Sequence, residues 1–187
     1  MLILLAALAG ASADADARFS RMTALYDEVC LRAFPEDRAV EAVMAARHTR
    51  PLTADQVKVT MGDDPARAWW VEGDGNATVW LELPPFHACS VRWNAPALSD
   101  MSEYQAIAAR YEAKSGGFRP INPMNSDHGP IHIHAVGEQL RSPDGSAESL
   151  FVIDQQITDP ARRAAGETGY SIRFVHQIAP PPAAAAK

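Results

Sequence analysis

The sequence has no concentration of charge of one sign. Its 187 residues carry 17 Lys and Arg against 23 Asp and Glu, a formal net charge of −6, with no block of five like charges. A nucleic-acid partner requires a basic face that contacts the phosphates, and adhesion to an anionic membrane requires a basic cluster. The charge pattern therefore argues against both kinds of partner.

Cysteine is scarce, since the chain has only Cys30 and Cys89. Neither lies near another cysteine, so a CxxC redox motif and a zinc knuckle are both excluded. In a reducing compartment two buried thiols are expected, whereas in an exported protein the expectation is one disulfide. Cys30 falls on the apolar face of a helical pattern and Cys89 on the apolar side of a strand pattern, which favours a disulfide that joins the two. It would close a loop of about 60 residues and contribute about 3–4 kcal/mol.

No apolar run reaches the roughly 20 residues of a membrane span. The longest is the N-terminal run over residues 1–10, followed by the small-residue site Ala11-Ser12-Ala13. This pattern predicts a secretory signal peptide over residues 1–13 and a mature chain that starts near Asp14, in the periplasm or outside the cell. The alternative is a buried N-terminal helix. No cysteine follows the run, so a lipoprotein anchor is not indicated.

The apolar periodicity predicts an α+β fold in a single domain over residues 18–178. Two N-terminal helices are expected, the first ended by Pro35, followed by three strands, one helix and three further strands. The last three strands fall at about residues 131–140, 149–157 and 170–178. Because no long βαβ alternation occurs, we expect an antiparallel sheet of about six strands in two groups of three, with one face partly open. The Pro/Ala tail, residues 179–187, is predicted to be disordered.

Signals for the commonest catalytic sites are missing. Ser126-Asp127-His128 has the residue types of a triad, but consecutive residues do not line up as one and no nucleophile elbow surrounds them. Asp63-Asp64 lacks the spaced oxygen ligands of a calcium loop. The four tryptophans, Trp69, Trp70, Trp80 and Trp93, fit either a carbohydrate-stacking platform or sheet packing.

The segment HGPIHIHAVGEQ, residues 128–139, holds the densest group of histidines. Alternation along a strand places Ile131 and Ile133 on one face and His132 and His134 on the other. If the isoleucines meet the core, the histidines project onto the open face. Two interpretations follow: half-exposed residues bonded to partners such as Asp154 and Gln156, or a polar surface that binds a ligand.

The same segment resembles the first metal motif of the cupin family, through His132-x-His134-x-x-x-Glu138 and then Gly145. The resemblance covers 14 residues and implies a β-barrel that binds iron, manganese or another divalent ion, with His132, His134 and Glu138 as ligands. The second cupin motif is absent, and His176 is the only later histidine. On a straight strand Glu138 lies roughly 13 Å from His134, so a shared ion requires a bulge at Gly137.

The chain as a whole is similar to small exported bacterial proteins of unknown function. The matching residues are Cys30, Asp64-Pro65, Arg67, Trp69 and Cys89-Ser90-Val91. Our first prediction is thus an exported, non-enzymatic binding or accessory module without a cofactor. It would bind a small ligand or a protein partner on the open face near His132, His134, Asp154 and Gln156. The alternative is a cupin-like, metal-dependent enzyme that uses His132, His134 and Glu138.

Overall fold

The computed structural model describes residues 4–73, 77–165 and 169–182, with side chains from residue 15 onward. Within these residues the chain forms five α-helices, one π-helical segment and nine strands. The helices are α1 (Leu4–Tyr26), which continues into the π segment (Asp27–Ala33), α2 (Asp37–Ala46), α3 (Ala54–Met61), α4 (Ser102–Ser115) and α5 (Pro160–Ala164). The strands are β1 (Thr49–Pro51), β2 (Ala66–Val71), β3 (Thr78–Glu82), β4 (His87–Ala95), β5 (Arg119–Pro120), β6 (Met124–His128), β7 (Ile131–Arg141), β8 (Ala147–Ile157) and β9 (Tyr170–Ala179).

All nine strands belong to one antiparallel sheet. Its order is β1-β2-β3-β4-β9-β8-β7-β5, and β6 pairs with β7 on the same side as β5. The two predicted groups of three strands correspond to β2–β4 and β7–β9. They join at the centre of the sheet, where β4 and β9 pair from His87 opposite Ile178 to Ala95 opposite Tyr170.

The α+β class and the antiparallel pairing are confirmed, but the count of about six strands was too low. The additional strands β1, β5 and β6 are three, two and five residues long, and their residues are mostly exposed. Such segments carry no alternation of apolar residues, and they become strands because β2 and β7 offer edges to pair with. Helix α3 was also missed, because it contains no buried residue.

The predicted disulfide is confirmed, between Cys30 of the π segment and Cys89 of β4, with Cα atoms 5.3 Å apart. The wider π-helical turn leaves three consecutive residues buried, Val29, Cys30 and Leu31. Cys30 thereby faces the sheet beside the main core, where Tyr26 and Phe174 rings pack with centroids 5.5 Å apart. The disulfide ties the first helix to the central strand.

The sheet has two unlike faces. The helix face carries the core residues Val79, Val91, Phe174 and Val152, which follow one another across β3, β4, β9 and β8. The opposite face, called here the cleft face, carries buried small residues such as Ala88, Ser90, Ala135 and Ser149, together with Trp80. Both faces therefore contain buried residues.

Two predictions concern the chain termini. Residues 4–13 of the predicted signal peptide lie within α1, and residues 1–3 fall outside the described part of the chain. In the predicted tail, β9 extends to Ala179 and residues 183–187 fall outside the described part. The signal peptide and the disordered tail therefore stay predictions. Across the described ranges, no helix combines the length and the apolar character needed to cross a membrane.

Candidate functional site

Two arginines lie directly opposite each other on the cleft face, Arg92 on β4 and Arg173 on β9. Burial lowers the pKa of both guanidinium groups, that of Arg92 to about 10, and the neighbouring Arg173 lowers the Arg92 value further. Like charges directly opposite on adjacent strands destabilise a sheet. The pairing of Arg92 with Arg173 at the centre of the cleft face is therefore unfavourable to the stability of the fold.

Arg92 is held by three partners on the same face. Its guanidinium donates to Glu82 Oε1 at 2.8 Å and to Ser90 Oγ at 3.0 Å. The guanidinium carbon also lies 4.7 Å from the ring centre of Trp80, a cation–π arrangement. Burial raises the pKa of Glu82, against the lowering effect of both arginines. Glu82 is the hydrogen-bonded counter-charge of Arg92.

Arg173 is held much less completely. Its Nη2 donates to Gln155 Oε1 at a long 3.4 Å. Its Nε is buried and has no hydrogen-bond partner among the residues that the structure describes. Glu82 hydrogen-bonds to Arg92 and only attracts Arg173 from a distance, so within the described residues Arg173 has no carboxylate bonded to it.

A cleft of about 590 Å³ opens beside these arginines, and α3 borders it. Its lining includes Trp70, whose indole Nε1 is also buried and without a partner in the described part of the chain. Guanidinium and indole N–H groups donate hydrogen bonds and accept none. The cleft floor is therefore complementary to a group that only accepts, such as a carboxylate or a phosphate.

A second cleft, of about 640 Å³, lies on the other side of α3 against α2 and β2. Its arginine and carboxylate, Arg67 and Glu41, form an ion pair with each other. Lys58 lies 3.5 Å from Asp63. Arg67 and Lys58 therefore each have a carboxylate beside them. This cleft is for that reason a weaker candidate for binding a charged ligand.

The structure corrects the predicted position of His132 and His134. Both lie on the helix face, because His134 is opposite Asp154, Asp154 is opposite Ile172, and Ile172 belongs to the core. The alternation along the strand was right, but the face was wrong, since residues such as Ala135 are buried on the cleft face. The two histidines stay partly exposed at positions of β7 next to those that α4 contacts.

The predicted polar residues do lie together there. His134 Nδ1 donates to Asp154 Oδ2 at 3.0 Å, and His132 Nδ1 donates to Asp127 Oδ1 of β6 at 2.7 Å. Carboxylates only accept, so each Nδ1 carries the proton and the Nε2 of a neutral ring is an acceptor. Gln156 is opposite His132 and exposed.

Glu138 lies apart from the histidine pair. The β7–β8 register is continuous through Gly137 opposite Phe151, so no bulge brings Glu138 back toward His134. Glu138 instead approaches Glu112 of α4, and burial together with the hydrogen bond to Glu138 raises the pKa of Glu112 to about 7. Over the described ranges, no three His, Cys, Asp or Glu side chains converge as a metal site.

The later histidine, His176, is wholly buried on the helix face. Its Nδ1 donates to the Cys30 carbonyl at 2.7 Å, and its Nε2 lies 2.7 Å from Glu148 Oε1. Tyr111 donates to the same carboxylate oxygen at 2.5 Å. The bond to His176 lowers the pKa of Glu148. This network links the π segment, α4, β8 and β9.

The arginine pair was not predicted from the sequence, although a signal was present. Ser90-Val91-Arg92-Trp93 and Ser171-Ile172-Arg173-Phe174 repeat one pattern, a serine and an arginine on one face and apolar residues on the other. An arginine inside an alternating strand is unusual enough to be noted. Trp69 and Trp93 belong to the core, Trp70 and Trp80 lie on the cleft face, and Trp93 also borders the cleft.

Comparison with protein-family models, with curated proteins and with solved structures finds no match to this chain, so the function has to be argued from the site itself.

Proposed function

We propose that this chain is an exported protein, periplasmic or secreted, that binds a small anionic ligand without enzymatic chemistry of its own. The observation that carries the proposal is the Arg92–Arg173 pair, in which Glu82 is bonded to one guanidinium only. A half-buried charge without a counter-charge costs stability. An anionic ligand accounts for the pair, because it supplies the missing negative charge and accepts from the unpartnered donors.

Export is supported by the disulfide between Cys30 and Cys89, since such bonds persist in oxidising compartments. The predicted signal peptide agrees with it, because cleavage after Ala13 leaves in place the α1 residues Phe19, Met22 and Leu25, which pack in the core. Expression in a bacterial host, followed by fractionation and mass spectrometry, tests this. A mature chain that starts near Asp14 in the periplasm or medium is expected. A full-length cytosolic chain with two free thiols would contradict export.

Anion binding is tested by thermal unfolding in increasing phosphate, acetate and octanoate, with chloride at matched ionic strength. Phosphate also stabilises proteins by exclusion from their surface, so the comparison is between variants. The wild type should gain more than Arg173→Met, which lacks the charge and the donors. Arg141→Met, at an exposed position of β7, is the matched control and should behave as the wild type. Equal shifts in all three proteins, with acetate, phosphate and octanoate alike, would refute the proposal.

A second candidate function is metal binding by His132 and His134, as the cupin resemblance implies. One observation favours it: both Nδ1 atoms are bonded to carboxylates, which is how metal-ligating histidines are commonly oriented, with Nε2 left to bind the ion. Metal analysis of untagged protein tests it. A stoichiometric metal that is lost in the His132→Ala, His134→Ala double variant would support this function. A metal-free protein whose melting temperature ignores divalent ions would exclude it.

A further inference from the structure

Helix α3 is unusual because none of its residues is buried. A capping box between Thr53 and Gln56 stabilises its N-terminus, and it ends at Gly62, whose φ of 64° suits glycine. The helix therefore persists through its own ends rather than through packing. It stands beside the cleft with one side turned toward the arginines.

The side of α3 that lines the cleft has an apolar centre. Gln56, Val59 and Thr60, at helical spacing, line the cleft, and Leu52 joins them from the chain before the helix. Val59 is 88% exposed, the most exposed of the large apolar side chains that the structure describes. An apolar side chain held at the rim of a cleft, without contact to the protein core, has surface available to a ligand.

We propose that the ligand of this cleft is an anion with an apolar body, such as a medium-chain carboxylate. Its carboxylate lies against Arg173, and its chain lies along Val59 and Leu52 on the side of the cleft that Trp70 lines. This inference rests on the proposed function and adds the chemical class of the ligand. The cleft is large enough, since pockets that hold small organic ligands commonly measure about 300–1,000 Å³, and this one measures about 590 Å³.

The charged and apolar parts of the cleft contribute differently to recognition. The arginines recognise the carboxylate oxygens and do not distinguish between the groups attached to the carboxylate. Val59 and Leu52 add affinity in proportion to the apolar surface that the ligand buries. Affinity should therefore increase with chain length until the ligand outgrows the cleft, while the requirement for Arg173 stays the same.

Calorimetric titration with acetate, butyrate, hexanoate and octanoate, all below micelle-forming concentrations, tests the inference. Each methylene that becomes buried should lower Kd about fourfold. Val59→Ser should weaken octanoate binding about tenfold and leave acetate binding unchanged. Val57→Ser is the matched control. Val57 lies on the opposite side of α3 and lines the other cleft. Both variants replace valine by serine within α3, so they change helix propensity equally.

The outcomes separate the inference from the proposed function. If acetate and octanoate bind equally in an Arg173-dependent manner, the inference fails and anion binding stands. The inference also fails if Val59→Ser and Val57→Ser act alike, or if octanoate binds Arg173→Met as tightly as it binds the wild type. If none of the four carboxylates, nor phosphate, binds in a manner that depends on Arg173, the proposed function fails and the inference with it.

Discussion

Replacing Arg173 by methionine should make the fold more stable while it removes the anion site. The substitution ends the repulsion between two arginines that face each other across β4 and β9, worth about 0.2–1 kcal/mol. It also removes a buried Nε that has no partner in the described part of the chain, a group that costs about 1–3 kcal/mol. Methionine keeps most of the packed stem.

The lost hydrogen bond to Gln155 offsets part of these gains. We therefore expect the free energy of unfolding to rise by about 0.5–2 kcal/mol. For a chain of this size, Tm rises by about 2–4 °C per kcal/mol. Arg92→Met is the informative counterpart, because Arg92 is bonded to Glu82 and Ser90. That substitution should lower the free energy of unfolding by about 1–3 kcal/mol, since it leaves a half-buried carboxylate without its partner.

Urea unfolding of both variants, with and without a bound anion, measures these changes. An anion at a hundred times its Kd should stabilise the wild type by about 2.7 kcal/mol and leave Arg173→Met unchanged. If Arg173→Met destabilises the protein by as much as Arg92→Met, Arg173 is a structural residue and the argument for a ligand is refuted.

Three further predictions concern α4, β7 and β8. Glu148→Ala should lower the free energy of unfolding by about 2–4 kcal/mol, because it leaves His176 and Tyr111 without their shared acceptor; a loss below about 0.5 kcal/mol in urea unfolding would contradict the network. Glu112 has a raised pKa of about 7 against an ordinary 4.5, so the folded state binds its proton more tightly and stability should fall as pH rises from 4.5 to above 7. Glu112→Gln should remove this fall, leaving stability unchanged at pH 4 and higher by about 1 kcal/mol or less at pH 8, and equal pH profiles would exclude the effect. Gly137→Ala should weaken the β7–β8 pairing by several kcal/mol, because a Cβ there would lie 2.2 Å from the Leu150 carbonyl oxygen; unchanged hydrogen exchange in β7 would show that the strands yield.

Much of the sheet could be predicted because its central strands alternate strictly. Cys89, Val91 and Trp93 face the helices while Ser90 and Arg92 face the cleft, as period two requires. The same reasoning predicted the disulfide, since it required only that both cysteines be on apolar sides of their elements. The short strands could not be predicted, because β5 and β6 exist only through the edge that β7 presents to them.

The sequence alone determined the class of fold, the disulfide partners and the alternation within each long strand, because these depend on local periodicity and on one pair of residues. It did not determine which face each alternation turns toward the helices. That depends on buried residues from distant strands, and here both faces contain them, so His132 and His134 were placed on the wrong side. The tertiary structure alone decided that Arg92 and Arg173, 81 positions apart, lie opposite each other and that Glu82 is hydrogen-bonded to only one of them. A charge becomes uncompensated only when the groups that could neutralise it are placed in space.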